Sequence, residues 1–497
     1  MRTLLTALTL GLTAPALAAP VLDTPVKDAY WADGRAQVAA RLRAVNRPTR
    51  ARNVILMIGD GMGIATITAA RIYDGQNPGP GLPRRSGEEN SLAFETLPHV
   101  ALVKTYNINA QVGDSAGTAS AMNTGIKTDI GVINFGPDQD AAACTTPAAL
   151  PRTFAEIAKA QGMAVGVVTT TRVTHATPAA VYGHVPNRNW EGADRAYPVA
   201  DRQSGCADLA TQMVDFKPGG GLDLVLGGGR ARFLPTAAKG MRDDGVDLVA
   251  RWQQRHPDGR YVADAAAFRA LDAKAPGPVL GLLANDHLSY EADRDPAQEP
   301  GLVDLAKFAV ARMQAATRGK PGYYLMIEGG RIDHAHHATN PYRALTDAQQ
   351  FSRAVAAVLA SVNLDDTLVL VTADHSHVMT IAGYPARGND ILGYLKNVKG
   401  GESEGPAGPE GAALDDEKRP MTTLSYANGP RAAPTLSHML APTEKNYLAS
   451  KLNGTGGETH GGEDVALFAD GPRSNLVGGV IEQNVIFHIM AEALGWR

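Results

Sequence analysis

Short, continuous apolar runs recur along the chain, separated by longer stretches with helical periodicity. The runs are Val54–Ile58, Ala164–Val168, Leu222–Leu226, Tyr323–Ile327, Thr367–Val371 and Val465–Phe468. Their continuity, in place of apolar–polar alternation, predicts strands buried on both faces of a mainly parallel sheet. Helices are predicted between them, for example over Pro151–Gln161, Val303–Thr317 and Tyr342–Val362. Strands alternating with helices in this way indicate an α/β fold. Residues 386–458 break the pattern, being rich in Gly, Pro and charge, and read as a long insertion on or beside the sheet. The runs Gly219–Gly221 and Gly227–Gly229 bracket a strand and read as turns, since neither resembles a phosphate-binding P-loop.

In such sheets ligands bind beyond the carboxyl ends of the strands, and polar residues cluster there. Asp60 follows the first run in IGDGMG, Thr170 and Thr171 follow the second, Glu328 follows the fourth, and Asp374-His375 follow the fifth in TADHSH. The stretch EGGRIDHAHH at 328–337 is the richest of these ends. If the chain coils after its Gly-Gly turn, Asp333 and His337 project from one helix face. A carboxylate and an imidazole at that spacing suit a Zn²⁺-type ion, whereas Glu328 offers a hard oxygen ligand for a harder ion. Asp60, Asp333, His337, Asp374, His375 and His460 are enough to supply two such ions, which would stabilise both attacking and leaving oxygens in an in-line displacement. His99, His184, His256, His287, His377, His438 and His488 read as solvated or core side chains.

DSAGTASAMNTGIKT, from Asp114, begins with good N-capping residues, and on this segment alone Asp114 and Ser115 read as caps. Nearby metals would change that reading, because a metal can deprotonate a serine hydroxyl. A bidentate cation for phosphate is best supplied by Arg188 in HVPNRNWEG, in competition with Arg172, Arg195 and Arg331.

Composition narrows the setting. The net charge of −4 and the lack of a long basic run favour neither nucleic acid nor a membrane surface. One Arg, an apolar core and Ala16-Leu17-Ala18 make residues 1–18 an expected secretory signal, leaving 19–497 as a single exported domain, periplasmic or extracellular. No later apolar run is long enough to span a bilayer. The two cysteines, Cys144 and Cys206, form either one disulfide or two buried thiols.

The motifs NVILMIGDGMG, VGDSAGTASAMNTGIKT, RVTHATPAAVYGHVPNRNW, DLVLGGGR, MIEGGRIDHAHH, VTADHSHV and ETHGGEDVALFADGP occur in the order found in alkaline phosphatases. The chain closely resembles that family over roughly residues 50 to 490. The resemblance implies a three-layer α/β sandwich, its central, mainly parallel sheet flanked by helices, with 386–458 as a crown-like insertion. It implies Ser115 as the nucleophile that forms a phosphoserine, and Arg188 as the residue that clamps phosphate. Asp333, His337 and His460 would hold one Zn²⁺; Asp60, Asp374 and His375 a second; Asp60, Thr177 and Glu328 one Mg²⁺. His175 and His334 lie at positions near the Mg²⁺ that are histidines in the animal-type branch, where they would orient ligands and waters. The ligands of the calcium site of that branch find no secure match here, and the cysteines match no family disulfide. Family habit also implies a homodimer, with Ala29–Val45 as a possible arm.

The expected activity is hydrolysis of phosphate monoesters. A phosphodiesterase or sulfatase of the same superfamily is the nearest enzymatic alternative, and DSAGTAS lacks the sulfatase C-x-P-x-R signature. A noncatalytic phosphate- or metal-binding protein is the alternative of another class, and Ser115 with Arg188 argues against it.

Overall fold

The computed structural model describes residues 50–203, 205–317, 321–400, 407–430 and 440–496. The expected leader at 1–18, the stretch 29–45 and His438 lie outside these residues. Ten strands form one sheet: β1 (Asn53–Gly59), β2 (His99–Lys104), β3 (Ala164–Arg172), β4 (Leu224–Gly228), β5 (Arg260–Val262), β6 (Val279–Leu282), β7 (Tyr323–Gly329), β8 (Thr367–Thr372), β14 (Val465–Asp470) and β15 (Val480–Glu482). Their order is β15-β2-β14-β8-β1-β7-β3-β4-β6-β5. From β8 to β5 every pairing is parallel, whereas β14 runs antiparallel to both its neighbours, β8 and β2. The runs predicted as doubly buried strands are so: every residue of β1, β7 and β8 is buried.

Helices cover both faces. Side chains alternate along a strand, and β7 shows which helices lie on each side. The Tyr324 ring packs edge-on against Phe154, 4.8 Å between centroids, and its hydroxyl donates to Asn123 Oδ1 at 3.0 Å. That face therefore carries helices Phe154–Ala160 and Ser115–Thr124. Gly329, in the opposite phase, lies under Phe351 of helix Pro341–Leu359, which a Cβ there would approach to 2.9 Å. Each Ile, Leu or Val fully buried between these layers contributes roughly 1.5–3 kcal/mol.

Register brings the strand ends level. Ile58 is the Cα partner of both Glu328 and Thr372, and Thr169 is the partner of Glu328. The polar residues after β8, β1, β7 and β3 therefore meet in one row.

The insertion is less formless than its composition predicts. Its β11 (Leu424–Pro430) and β12 (Lys451–Thr455) join β10 (Met379–Ile381), which precedes it, in a three-stranded sheet. β11 ends in Gly429-Pro430 and mixes buried with half-exposed residues, and β12 is largely exposed, so neither leaves a continuous apolar run. A two-residue pairing of β9 (Ser376–His377) with β13 (His460–Gly461) then returns the chain to the row of strand ends. Cys144 and Cys206 form a disulfide, their Cα atoms 5.0 Å apart, closing a loop of sequence separation 62. Among the described residues no helix is long and apolar enough to cross a membrane.

Candidate active site

Asp60 leaves β1 on a turn that requires glycine. Gly61 has φ +67°, its N–H donates to Asp374 Oδ1 at 3.0 Å, and a Cβ would overlap the His377 ring. Glu328 ends β7, and the short helix Arg331–His337 that follows carries Asp333 and His337 on one face. Asp374 and His375 follow β8, the β9–β13 pairing delivers His460, and Thr177 lies in helix Ala176–Ala179 beyond β3. Ser115 is the first residue of helix Ser115–Thr124, with Asp114 as its N-cap accepting the Gly117 N–H.

These side chains converge in three groups whose ligand atoms lie within 4.8 Å of one another: Asp333, His337, His377 and His460; Asp60, Asp374 and His375; Asp60, His175 and Glu328. Asp333 Oδ1 sits 3.3 Å from His337 Nε2 and 3.5 Å from His460 Nε2, and the two imidazole nitrogens are 3.2 Å apart. His375 Nε2 lies 3.0 Å from Ser115 Oγ, 3.5 Å from Asp60 Oδ1 and 3.4 Å from Asp374 Oδ2.

Two observations fit the donors to cations. Nδ1 of His337 lies 2.6 Å from the Glu458 carbonyl, Nδ1 of His460 2.8 Å from that of Gly113, and Nδ1 of His375 3.2 Å from that of Ser376. Carbonyls only accept, so each Nδ1 carries the proton and each Nε2 presents a lone pair to the site. Moreover, Asp60 Oδ2, Asp374 Oδ2, Glu328 Oε1 and Thr177 Oγ1 are buried oxygens without a hydrogen-bond partner in the protein, which is costly unless a cation or water meets them.

Charge points the same way. Burial, with Asp374 and Asp333 beside it, raises Asp60 well above the carboxylate range. Burial also raises Asp374, and pushes Glu328 up to about 7 against the opposing Thr169 hydrogen bond. Burial pushes Asp333 upward too, but His337, His377 and His460 outweigh it and hold it well below the usual range. Crowded buried carboxylates ionise together only when cations offset them.

Above Ser115 opens a cavity of about 300 Å³ lined by Arg188, Asn189, Arg172, Glu191 and the site histidines. Burial pushes Asp114 upward, but its ion pair with Arg188 Nη1 at 2.9 Å wins and keeps it low. Of the four arginines in competition, Arg172 is committed to Glu191 and Asp286, Arg195 is exposed, and Arg331 bonds His334 and covers the Tyr290 ring. Arg188 lines the cavity beside Ser115, its Nη1 paired with Asp114 and its Nη2 3.3 Å from His175 Nε2.

A sequence profile described as alkaline phosphatase matches residues 51–496. The chain is 39% identical to the chicken tissue-nonspecific isozyme of alkaline phosphatase over 93% of this chain and 89% of that one. It is 36% identical to Atlantic cod (Gadus morhua) alkaline phosphatase over 93% and 95% of the two chains. The chain belongs to the alkaline phosphatase family. It is a phosphatase, and it carries three groups of residues that could hold metal ions. The crystal structure of the Thermus thermophilus alkaline phosphatase shares the fold, with TM-score 0.63 at 25% identity over 91% and 93% of the two chains.

Within this alkaline phosphatase site, several residues stand differently from the sequence reading. His175 stands beside Asp60 and Glu328, and its Nε2 accepts from Arg188 Nη2 at 3.3 Å, which leaves the proton on Nδ1. His334 keeps to the periphery, its ring 5.3 Å from His175 and 4.3 Å from His287, its Nε2 4.0 Å from Asp333 Oδ2. His336, unassigned from sequence, is buried between Thr66 Oγ1 at 3.0 Å and the Tyr426 hydroxyl at 2.8 Å. His377, read as a solvated or core side chain, is buried, and it bridges Asp333 Oδ1 at 2.8 Å and Glu458 Oε2 at 2.5 Å beside His337 and His460. The signal was there: in extended chain His375 and His377 point to one side.

Proposed function

We propose that the chain hydrolyses phosphate monoesters through a phosphoserine on Ser115, using two Zn²⁺ and one Mg²⁺. The observation that carries this reading is Ser115 Oγ standing at a helix N-terminus among convergent ligand atoms, with the Arg188 fork on the same cavity. Asp333, His337 and His460 would hold one zinc; Asp60, Asp374 and His375 the other; Asp60, Thr177 and Glu328 the magnesium. When bound, the ions lower the pKa of the Ser115 hydroxyl and of the hydrolytic water and offset charge on the transferring phosphoryl group.

The chain's residues supply the rest. Arg188 takes two phosphoryl oxygens bidentately, held in place by Asp114. Ser115 Oγ attacks phosphorus in line; its bond to phosphorus forms as the ester P–O bond breaks and the alcohol leaves. The free N–H groups of the first helical turn favour the negative charge that gathers there. Water then attacks the phosphoserine, the Oγ–P bond breaks, and Ser115 recovers its proton as phosphate departs. Magnesium in a third site is described for a variant of the Antarctic bacterium TAB5 alkaline phosphatase, and the oxygen-rich set around Glu328 suits such an ion. Export behind residues 1–18 and assembly as a homodimer belong to the same reading; the mature N-terminal sequence and the native mass test them.

Rates on a chromogenic phosphate monoester, a diester and a sulfate ester, before and after chelation, test the activity. The monoester is expected to dominate, and recovery to require zinc, with magnesium adding to it. Full recovery with magnesium alone would contradict the two-zinc assignment.

A further inference from the structure

Glu328 reaches the site with two oxygens in different states. Oε2 accepts the Thr169 hydroxyl in a short hydrogen bond and lies 3.2 Å from the Thr171 hydroxyl. Oε1 is buried with no partner. Nothing in a glutamate's own torsions selects which oxygen faces a ligand, because its terminal χ3 is broad and nearly two-fold. The selection comes from the end of β3.

There the two threonines are fixed by the side of Cβ that carries the methyl group. Thr169 Cγ2 packs against Gly227 of β4, where a Cβ would come within 2.7 Å of it. Thr171 Cγ2 packs against Gly330, where a Cβ would overlap it and would also come within 2.8 Å of Glu328 Oε1. A β-branched side chain whose methyl is seated in this way has little χ1 freedom left, so the Thr169 hydroxyl is aimed at the carboxylate, and the Thr171 hydroxyl is held among Thr169 Oγ1, the Arg172 carbonyl and Glu328 Oε2. They also hold each other: the two Oγ1 atoms are 2.7 Å apart, and Thr169 Oγ1 accepts the Thr171 N–H at 2.7 Å. Thr170, between them, points the other way and accepts the Gly330 N–H at 3.0 Å, fixing the turn that follows Glu328.

We propose that Thr169 and Thr171 are positioning residues that occupy Glu328 Oε2 and thereby present Oε1, with Asp60 Oδ2 and Thr177 Oγ1, to the third metal ion. The proposal rests on the three-ion reading above. It makes Gly227 and Gly330 part of the device, since each provides the space in which a threonine methyl is seated.

The test is calorimetric titration of Mg²⁺ into zinc-loaded, magnesium-depleted protein, with zinc content and far-UV circular dichroism measured alongside. Thr169→Val keeps the shape but removes the hydroxyl, and is expected to weaken Mg²⁺ binding by about 10–100-fold, the usual cost of losing a group that orients a ligand, with zinc content unchanged. Thr169→Ser keeps the hydroxyl and is expected to bind Mg²⁺ nearly as wild type does. Thr171→Val is expected to lose less than Thr169→Val, because its bond is longer and its hydroxyl also reaches the Arg172 carbonyl at 3.0 Å. Wild-type affinity in Thr169→Val, or an equal loss in Thr169→Ser, would overturn the clamp while leaving the three-ion reading intact. A wild-type protein that takes up zinc but no Mg²⁺ would overturn both. Should Thr169→Val fail to fold, Thr171→Val against Thr169→Ser decides: unchanged affinity in the first, or a loss in the second, overturns the proposal.

Discussion

Ser115 Oγ and the Arg188 guanidinium are single groups with distinct duties, so their removal is expected to have different kinetic signatures. Ser115→Ala should lower kcat by at least about 10³-fold while metal content stays at the wild-type level, because the hydroxyl is the proposed attacking group. Near-full turnover in that variant would end its assignment as nucleophile. Arg188→Lys keeps the charge and loses the planar fork, so KM should rise about tenfold with a smaller loss in kcat; an unchanged KM would place phosphate elsewhere. At this scale the sequence was legible in part. Capping alone accounted for Asp114-Ser115, and the structure separates the two: Asp114 accepts the Gly117 N–H and caps the helix, leaving the Ser115 hydroxyl facing His375. For His377, read from sequence as a solvated or core side chain, the alternation shared with His375 gave the side it faces but not its partners. Only folding brings Asp333 and Glu458 to its two nitrogens.

Among elements, those with long, doubly buried runs were legible, and the site follows from them because ligands sit at strand ends. Helix Pro341–Leu359 and helix Leu302–Ala316 lie within a few residues of their predicted spans. Strands β2, β5, β6 and β15 were not foreseen. In β2 the outward Val100 and Leu102 alternate with the buried Ala101 and Val103, unlike the continuous runs, while β5 and β15 have three residues each and β6 carries Gly281. The antiparallel course of β14 was equally hidden, since a run's composition does not encode its direction. Helix Pro341–Leu359 also stores a pH response. Burial pushes the Asp347 carboxyl up to about 8 from its ordinary 3.8, so the native state holds a proton that the unfolded chain has released. Its contribution to stability is complete below the unfolded pKa and is lost as pH rises through the folded one. Asp347→Asn should therefore raise Tm relative to wild type more at about pH 9 than at about pH 5; equal offsets at the two pH values would contradict the buried-proton account.

For the whole molecule, the Cys144–Cys206 disulfide was the feature that sequence left open, because spacing alone does not show proximity. The bond closes a loop that contains β3, Thr177 and Arg188, so it constrains the unfolded chain across the heart of the site. A loop of this size implies roughly 4 kcal/mol of stabilisation from chain entropy. Replacing both cysteines by serine should lower Tm by several degrees in thermal melts without changing zinc content, and an unaltered Tm would remove the disulfide from the stability account. What the molecule as a whole is built to do, on this account, is pass a phosphoryl group through Ser115. The most direct measurement is to mix the enzyme with a phosphate monoester, quench in acid, and map the phosphorylated peptide by mass spectrometry. Phosphate on Ser115 in the wild type, and none in Ser115→Ala, is the predicted result. Rapid turnover with no phosphoserine at any quench time, or a phosphoryl group on another residue, would contradict it.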